Sequence, residues 1–479
     1  MTGARPIRTR ADLHGRSALI LGLARSGVAA ARFLSDAGAV VIAYDRRGEA
    51  ALADAVESLG DRPIQLALGV PEATARQLIE TADLLVTSPS ISPRFRTTEA
   101  WLRDALSGAQ ARGVELVSEV EIFLRLTSAR ILAVTGTKGK TTTTALLGSI
   151  LAGAQIPHVV GGNIGEPLIE RSESLDSETW AVLELSELQL PTISRGADVA
   201  VYTNILADHL DRHGSLEAYR AVKARLAELT VERRGAVVLN SDDAGSRDLG
   251  AQLSGDLHWY GSGGPDAHSE ALEATEADGQ LMLSGVPLLA VGDVPLPGAH
   301  MRHDVLAAAL AARLVGAPTD AIDDGIRAFR GVPHRLETIA EANGVRWVND
   351  SQATIPTAAI AALEAFEPSP IVLIAGGQGK GLDYGAFADA IADRSRTAIL
   401  IGETAAELER LIRGRVPVHR AMSMDEAVSL AAHEARPGDV ALLSPAAASF
   451  DMFTDYAARG DAFRQAVTRL TGATSGEPR

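Results

Sequence analysis

The stretch 134–147, VTGTKGKTTTTALL, holds Gly136, Thr137, Lys138, Gly139, Lys140, Thr141 and Thr142 between an apolar run (131–134) and a helix-like segment. A strand, a glycine-bearing turn and a helix N-terminus turn backbone N–H groups and partial positive charge toward an anion. A lysine in such a turn reaches the outer phosphates. Thr141, directly after Lys140, is placed to offer its hydroxyl to the Mg²⁺ that accompanies a nucleotide. The spacing, G-x-x-G-K-T, is two residues shorter than the usual G-x-x-x-x-G-K-[ST]. The flanking elements, more than the pattern, predict an ATP site.

Other residues suited to chemistry follow along the chain. WAVLELSELQL (180–190) reads as a strand with Glu184 inside its apolar run. A lone acid there is costly unless paired or metal-bound, so a metal or catalytic role is the favoured reading. GGNIGEP (161–167), with Asn163, reads equally well as a ligand turn or a plain connection. The strand beginning ADVAVYTN runs into a polar loop with Asp208, His209, Asp211 and His213, one of which could complete a divalent-metal site, although histidine in such a loop is more often structural and solvated. In the helical stretch 217–229, Lys223 lies beside the stripe Tyr219, Val222, Leu226 and Leu229; spacing alone reads it as a surface or snorkelling lysine. GGQGKGLDY, with Lys380, is a second glycine-rich loop able to cradle an anion.

The elements that must hold these residues alternate strand and helix throughout. Segments 17–22 and 39–44 bracket an Ala-rich helix in a βαβ unit of dinucleotide-fold type, with Asp45 where a ribose or base is often read. Its fingerprint, Gly22-x-Ala24-x-x-Gly27, has alanine at the middle position, so a nicotinamide nucleotide is a weak reading. SPSISP (88–93) follows strand 84–87, at the position of a ligand loop. The length, 479 residues, favours about three domains, drawn at 1–119, 120–329 and 330–479. The fold class expected is α/β: a Rossmann-like N-terminal domain, a central P-loop-type ATPase domain with a mostly parallel sheet, and a C-terminal Rossmann-like domain.

Composition narrows the function. A net charge of −16 argues against nucleic acid, which requires a basic surface. Apolar runs are short and interrupted, so no membrane span is expected, and the basic N-terminus lacks the apolar core of a signal peptide. Zero cysteines exclude disulfides and thiolate metal sites and are compatible with a reducing cytoplasm, the expected location.

TGTKGKTTT, GNIG, LELSELQL, TNILADHLDRHGSLEAYRAVK, PHR, NDSQAT, GGQGKGLDY and LSPAAASFDMFTDYAARGDAF occur in that order. In this set the chain resembles the Mur ligase superfamily, ATP-dependent amide-forming enzymes of bacterial cell-wall precursor synthesis. The resemblance implies ATP and Mg²⁺, two ions, as cofactors, and UDP-N-acetylmuramoyl-L-alanine and D-glutamate as partners of a monomer. It implies that Gly136 to Thr142, Arg335 and Asp350 bind ATP, and that Thr141, Glu184, His209 and a carbamylated Lys223 hold metal. Lys140, Glu184, His209 and Lys223 would then be the catalytic set. Asp45, Arg46 and the 88–93 loop with Ser88 match the region that grips the UDP part. Asn163 matches a position contacting substrate or nucleotide; Thr354, Lys380, Ser449, Phe450 and Tyr456 match the amino-acid pocket. Gln352, Met301 and Asp304 stand where the family usually has a lysine and two asparagines, Lys138 where it has an asparagine, and Ala24 where it has a glycine.

The implied chemistry is ordered. ATP converts a carboxylate to an acyl phosphate, an amine attacks the acyl carbon, and phosphate leaves, with domain closure excluding water. The rivals are the same ligase chemistry with L-glutamate or another amino acid, a folylpolyglutamate-synthase-like ligase, a nucleotide-driven switch, and a dehydrogenase.

Overall fold

Apolar runs bounded by glycine turns become the strands of three sheets, because strands buried on both faces read as continuous hydrophobic stretches. The computed structural model describes residues 6–263, 272–295, 299–329, 331–379 and 381–472. These fall into two compact units: residues to 294 with 302–327, and 295–301 with 328 onward.

The first unit contains two sheets. One is all parallel, in the order β3-β2-β1-β4-β5, from β1 (Ser17–Leu21), β2 (Val40–Asp45), β3 (Ile64–Leu68), β4 (Leu84–Thr87) and β5 (Glu115–Val117). The order reverses beside β1, so the β1 and β4 C-terminal ends open a crevice, the usual ligand position in such sheets.

The other sheet comprises β6 (Arg130–Thr135), β7 (His158–Gly162), β8 (Trp180–Glu184), β9 (Val199–Tyr202), β10 (Ala236–Asn240), β11 (Asp256–Gly261), β12 (Ala274–Ala277), β13 (Gln280–Leu283) and β14 (Val286–Ala290). Its order is β14-β13-β12-β11-β10-β9-β6-β8-β7, parallel except for the β13 and β14 edge. That antiparallel edge lies in a stretch whose poor periodicity gave no strand signal. One hydrophobic core joins the two sheets, running from Ala18 and Ile20 to Ala133, Leu183 and Tyr202.

The second unit holds β15 (Glu337–Ala342), β16 (Val345–Asn349), β17 (Ile371–Gly376), β18 (Ser395–Ile401), β19 (Val418–Arg420) and β20 (Val440–Leu443), in the order β15-β16-β20-β17-β18-β19. Only β15 runs antiparallel to its neighbour. The α/β class is as the sequence indicates. No helix among the described residues is long and apolar enough to cross a membrane.

One element ends earlier than its sequence suggests. The apolar run from Trp180 stays extended only to Glu184, because its partner β6 turns away into the glycine loop; Ser186 to Gln189 then form a side-chain-bonded turn. Glu184 is therefore the last residue of β8.

Candidate active site

β6 delivers the chain into a tight turn, Gly136 to Gly139, from which the helix Lys140–Gly153 departs. Both glycines are demanded by space and by dihedral angle. Gly136 has φ 149°, and a Cβ there would lie 1.9 Å from Thr203 Oγ1. Gly139 has φ 85°, and its Cβ would meet Asp304 Oδ1 at 2.2 Å.

Neighbouring strands anchor the loop. Thr137 N–H donates to the Asn204 carbonyl (2.9 Å), and Lys138 N–H to Asn204 Oδ1 (2.9 Å). Thr137 Oγ1 and Tyr219 OH share a hydrogen bond of 2.9 Å. Lys140 Nζ curls back on the loop, donating to the carbonyls of Gly136 (3.0 Å) and Thr137 (2.9 Å). Its ammonium is thus held over the turn where an anion's outer oxygens would lie. Thr141 and Thr142 occupy the first turn of the helix, Thr142 buried and Thr141 half-buried. Lys138 Nζ reaches outward to Asp208 Oδ2 (3.1 Å).

Behind the loop lies a buried ionisable set. Glu184 is 1 % exposed; Asn163 Nδ2 donates to its Oε1 at 2.7 Å, while Oε2 is buried without a partner among the described residues. A carboxylate oxygen so orphaned is costly, and a cation beside it removes the cost. Lys223 is also fully buried, a correction to its reading as a surface lysine. It shares the inward face of the helix Leu216–Glu232 with Tyr219 and Leu226, and its Nζ donates to Gly136 O (2.7 Å) and Thr135 Oγ1 (3.2 Å). Burial first, and the nearby Lys140 ammonium second, pull Lys223 down to about 7 against the opposing carboxylates of Glu187 and Glu184.

His209 sits in the loop after β9 with φ 49°, its ring 44 % exposed and its Nε2 3.7 Å from Glu187 Oε1. Among the described residues, no three His, Cys, Asp or Glu side chains form a ready metal cage. The open oxygen of Glu184 is instead a hard donor, carried by β8 beside the strand that feeds the glycine turn, and such an oxygen suits Mg²⁺.

The first sheet has its own cleft of about 470 Å³, lined among others by Gly22, Ala24, Asp45, Arg46, Ser88, Thr97, Trp101 and Arg212. Asp45 accepts from Leu23 N–H (3.0 Å) and from Arg47 at both oxygens. Burial alone would raise its pKa, but these hydrogen bonds outweigh it and bring Asp45 down to about 2. Arg46 is exposed and pairs with Glu99 at 3.2 Å.

In the second unit, Asp350 is buried at the end of β16. It accepts from Ser444 Oγ (2.8 Å) and Leu336 N–H (3.2 Å), and burial pushes it up to about 7. Arg335 and Thr354 are half-buried, Ser449 is buried, and Phe450 and Tyr456 are exposed. Gln352 is exposed, and Lys380 lies outside the described residues.

Residues 134–312 match the model of the Mur ligase middle domain, and residues 334–447 that of the Mur ligase glutamate ligase domain. The chain belongs to the Mur ligase family. It is 39 % identical over 460 residues to the UDP-N-acetylmuramoylalanine--D-glutamate ligase of Solibacter usitatus, covering 96 % of this chain and 99 % of that protein. It is 38 % identical over 468 residues to the enzyme of the same name from Symbiobacterium thermophilum, covering 95 % and 98 %. Among solved structures, the UDP-N-acetylmuramate-alanine ligase of Thermotoga maritima shares the fold, with a TM-score of 0.57, 18 % identity, and coverage of 96 % and 100 %.

Sequence reasoning passed over several residues that tie these segments together within each unit. Tyr219 and Thr135 carry no charge signal, yet they bond Thr137 and Lys223. Arg459, 1 % exposed, sits inside the quoted block DYAARGDAF without an assigned role. It donates to Ser351 Oγ and O and to the carbonyls of Ala447 and Ala448, at 2.9–3.1 Å. It thereby ties the segment after β16 to the segment after β20.

Proposed function

We propose that the chain joins D-glutamate to UDP-N-acetylmuramoyl-L-alanine in a cytoplasmic, ATP-driven reaction through an acyl phosphate, releasing ADP and phosphate. The step belongs to peptidoglycan precursor synthesis. The observation that carries the chemistry is the phosphate loop backed by buried Glu184 and Lys223. The choice of substrates follows the relatives that match this chain over nearly their whole length. We assign the sugar nucleotide to residues 1–119, ATP to 120–329 and the amino acid to 330–479.

The chain's own groups would act in sequence. The N–H groups at the start of the helix and Lys140 receive the ATP phosphates, Lys140 exchanging its loop carbonyls for phosphate oxygens. A substrate carboxylate oxygen attacks the γ-phosphorus, and the bond to the ADP oxygen breaks. Lys140 offsets the repulsion between two anions that otherwise blocks this approach. The glutamate amine then attacks the acyl carbon, loses its proton, and expels phosphate. Thr141, Glu184, His209 and Lys223 are assigned to hold Mg²⁺; when bound, it neutralises phosphate charge. Asn163 positions Glu184 through Oε1 and leaves Oε2 to the metal.

Lys223 serves best as a carbamate, an oxygen ligand made from a lysine. Only a neutral amine adds CO₂, and a pKa near 7 supplies one at cellular pH. Arg335 and Asp350 are assigned to ATP, and Thr354, Lys380, Ser449, Phe450 and Tyr456 to the amino acid.

The test labels the substrate carboxyl with ¹⁸O. One labelled oxygen appears in the released phosphate if the carboxylate attacks ATP; unlabelled phosphate overturns the mechanism. A panel with D- and L-glutamate side by side decides the amino acid.

A further inference from the structure

The cleft of the first sheet contains one lining residue that the first sheet does not supply. Arg212 comes from the loop after β9, in the turn Leu210–His213 between His209 (φ 49°) and Gly214 (φ 85°). Three contacts press this turn onto the 95–98 segment of the first sheet. Arg96 N–H donates to the Arg212 carbonyl (3.2 Å), the Arg212 guanidinium lies 5.9 Å above the Phe95 ring, and His213 meets the same ring edge-on at 5.5 Å. The position of Arg212 is therefore fixed from both sides.

Its guanidinium spans two regions. Nη1 donates to Glu187 Oε1 at 3.1 Å, and that carboxylate oxygen lies 3.7 Å from His209 Nε2. Arg212 also lines the cleft. Its Nε–H is out of solvent and has no hydrogen-bond partner among the described residues. A buried guanidinium N–H left unpaired is costly, and a ligand oxygen placed against it recovers the bond. The cleft's other two arginines are engaged within the first sheet. Arg47 donates Nε and Nη2 to Asp45, and Arg46 pairs with Glu99. Arg212 is thus the cleft arginine whose spare donor is shut off from water, and it comes from the loop that carries His209.

We propose that Arg212 is a substrate-binding residue that grips an anionic oxygen of the sugar nucleotide where it passes from the cleft toward the Glu187–His209 end. The bound oxygen belongs to a phosphate or to the terminal carboxylate, both of which suit a guanidinium's planar fork. The assignment rests on reading the cleft as the sugar-nucleotide site. It also gives the first sheet's ligand a direct link to the loop that carries His209, through one side chain.

The experiment compares intact wild type, Arg212→Met and Arg212→Lys by calorimetric titration with UDP, with UDP-N-acetylmuramoyl-L-alanine, and with ATP. Binding is the readout because losing Arg212 also unpairs Glu187 and lowers turnover for that separate reason. Arg212→Met is expected to bind the full substrate about 10- to 100-fold more weakly, the range of a charge-assisted hydrogen bond. Arg212→Lys, which keeps the charge and loses the fork, falls between, and ATP affinity stays at the wild-type value. Equal weakening for UDP assigns the contact to a phosphate; unchanged UDP affinity assigns it to the carboxylate. Wild-type affinity of Arg212→Met for the full substrate overturns the proposal, as does a matching loss for ATP, which would mark general damage. A wild-type protein that binds neither UDP nor the full substrate overturns the reading of the cleft itself.

Discussion

Lys223 Nζ donates to the Gly136 carbonyl at 2.7 Å, fastening a buried amine directly to the phosphate loop. With its pKa at about 7, the amine is protonated below neutrality and free to take up CO₂ above it. Activation of CO₂-depleted enzyme at a fixed dissolved CO₂ concentration is expected to speed up from pH 6 to about 7.5 and then level off. A lysine of ordinary basicity would go on accelerating toward ~10.4. Intact mass before and after bicarbonate reads the modification directly. Lys223→Ala is expected to lose roughly 10²- to 10³-fold in kcat and to regain part of it with small carboxylic acids. Full activity in that variant would remove the residue from the mechanism.

The loop's glycines make a steric prediction. A Cβ at Gly136 would stand 1.9 Å from Thr203 Oγ1, on a backbone at φ 149° that L side chains disfavour. Gly136→Ala must move β9 or the loop, so a stability loss of about 1–3 kcal/mol is expected from strain alone. ATP binding falls with it, whereas UDP binding in the separate first-sheet cleft is retained. Thermal melts with each ligand measure both; a variant that binds ATP normally refutes the tight-turn argument.

That lysine and the loop's glycines also mark what a sequence can and cannot disclose. The loop was legible because strand, glycines, lysine and helix are contiguous, and Glu184 because an acid in an apolar run violates the pattern around it. Lys223 was not. It lies four residues after Tyr219, on the buried face, but a lysine beside an apolar stripe reads as snorkelling until the sheet that covers it is known. Asp45 illustrates the opposite limit. Its position at the end of the second strand suggested a ribose contact, and no spacing records that Leu23 and Arg47 hold both its oxygens. Arg459 was invisible because three of its four hydrogen bonds go to backbone carbonyls, which no residue pattern records.

Asn163 tests how Glu184 is held. Its amide takes Oε1 at 2.7 Å and so aims the second oxygen. Asn163→Ala leaves both oxygens of a buried carboxylate unpaired and free to turn. The Mg²⁺ concentration for half-maximal rate is expected to rise about 10- to 100-fold, the usual cost of removing a residue that orients a ligand. An unchanged Mg²⁺ dependence would detach Glu184 from the metal.

Glu119 offers a prediction about stability, remote from the phosphates. It opens the helix Glu119–Leu126, is almost wholly buried, and among the described residues receives only the Ile169 N–H (3.2 Å). Burial raises its pKa from 4.5 to about 7. Between those values the folded chain holds a proton that the unfolded chain has released, so this group makes stability fall as pH rises from 4.5 to 7 and adds no further slope above. The full effect is on the order of 3 kcal/mol. Glu119→Gln keeps the acceptor for Ile169 and cannot ionise. Denaturant melts of the two proteins from pH 4.5 to 8 should therefore diverge, with the variant gaining on the wild type up to about pH 7. Other groups cancel in that comparison, so parallel curves would show that Glu119 stays ionised in the fold.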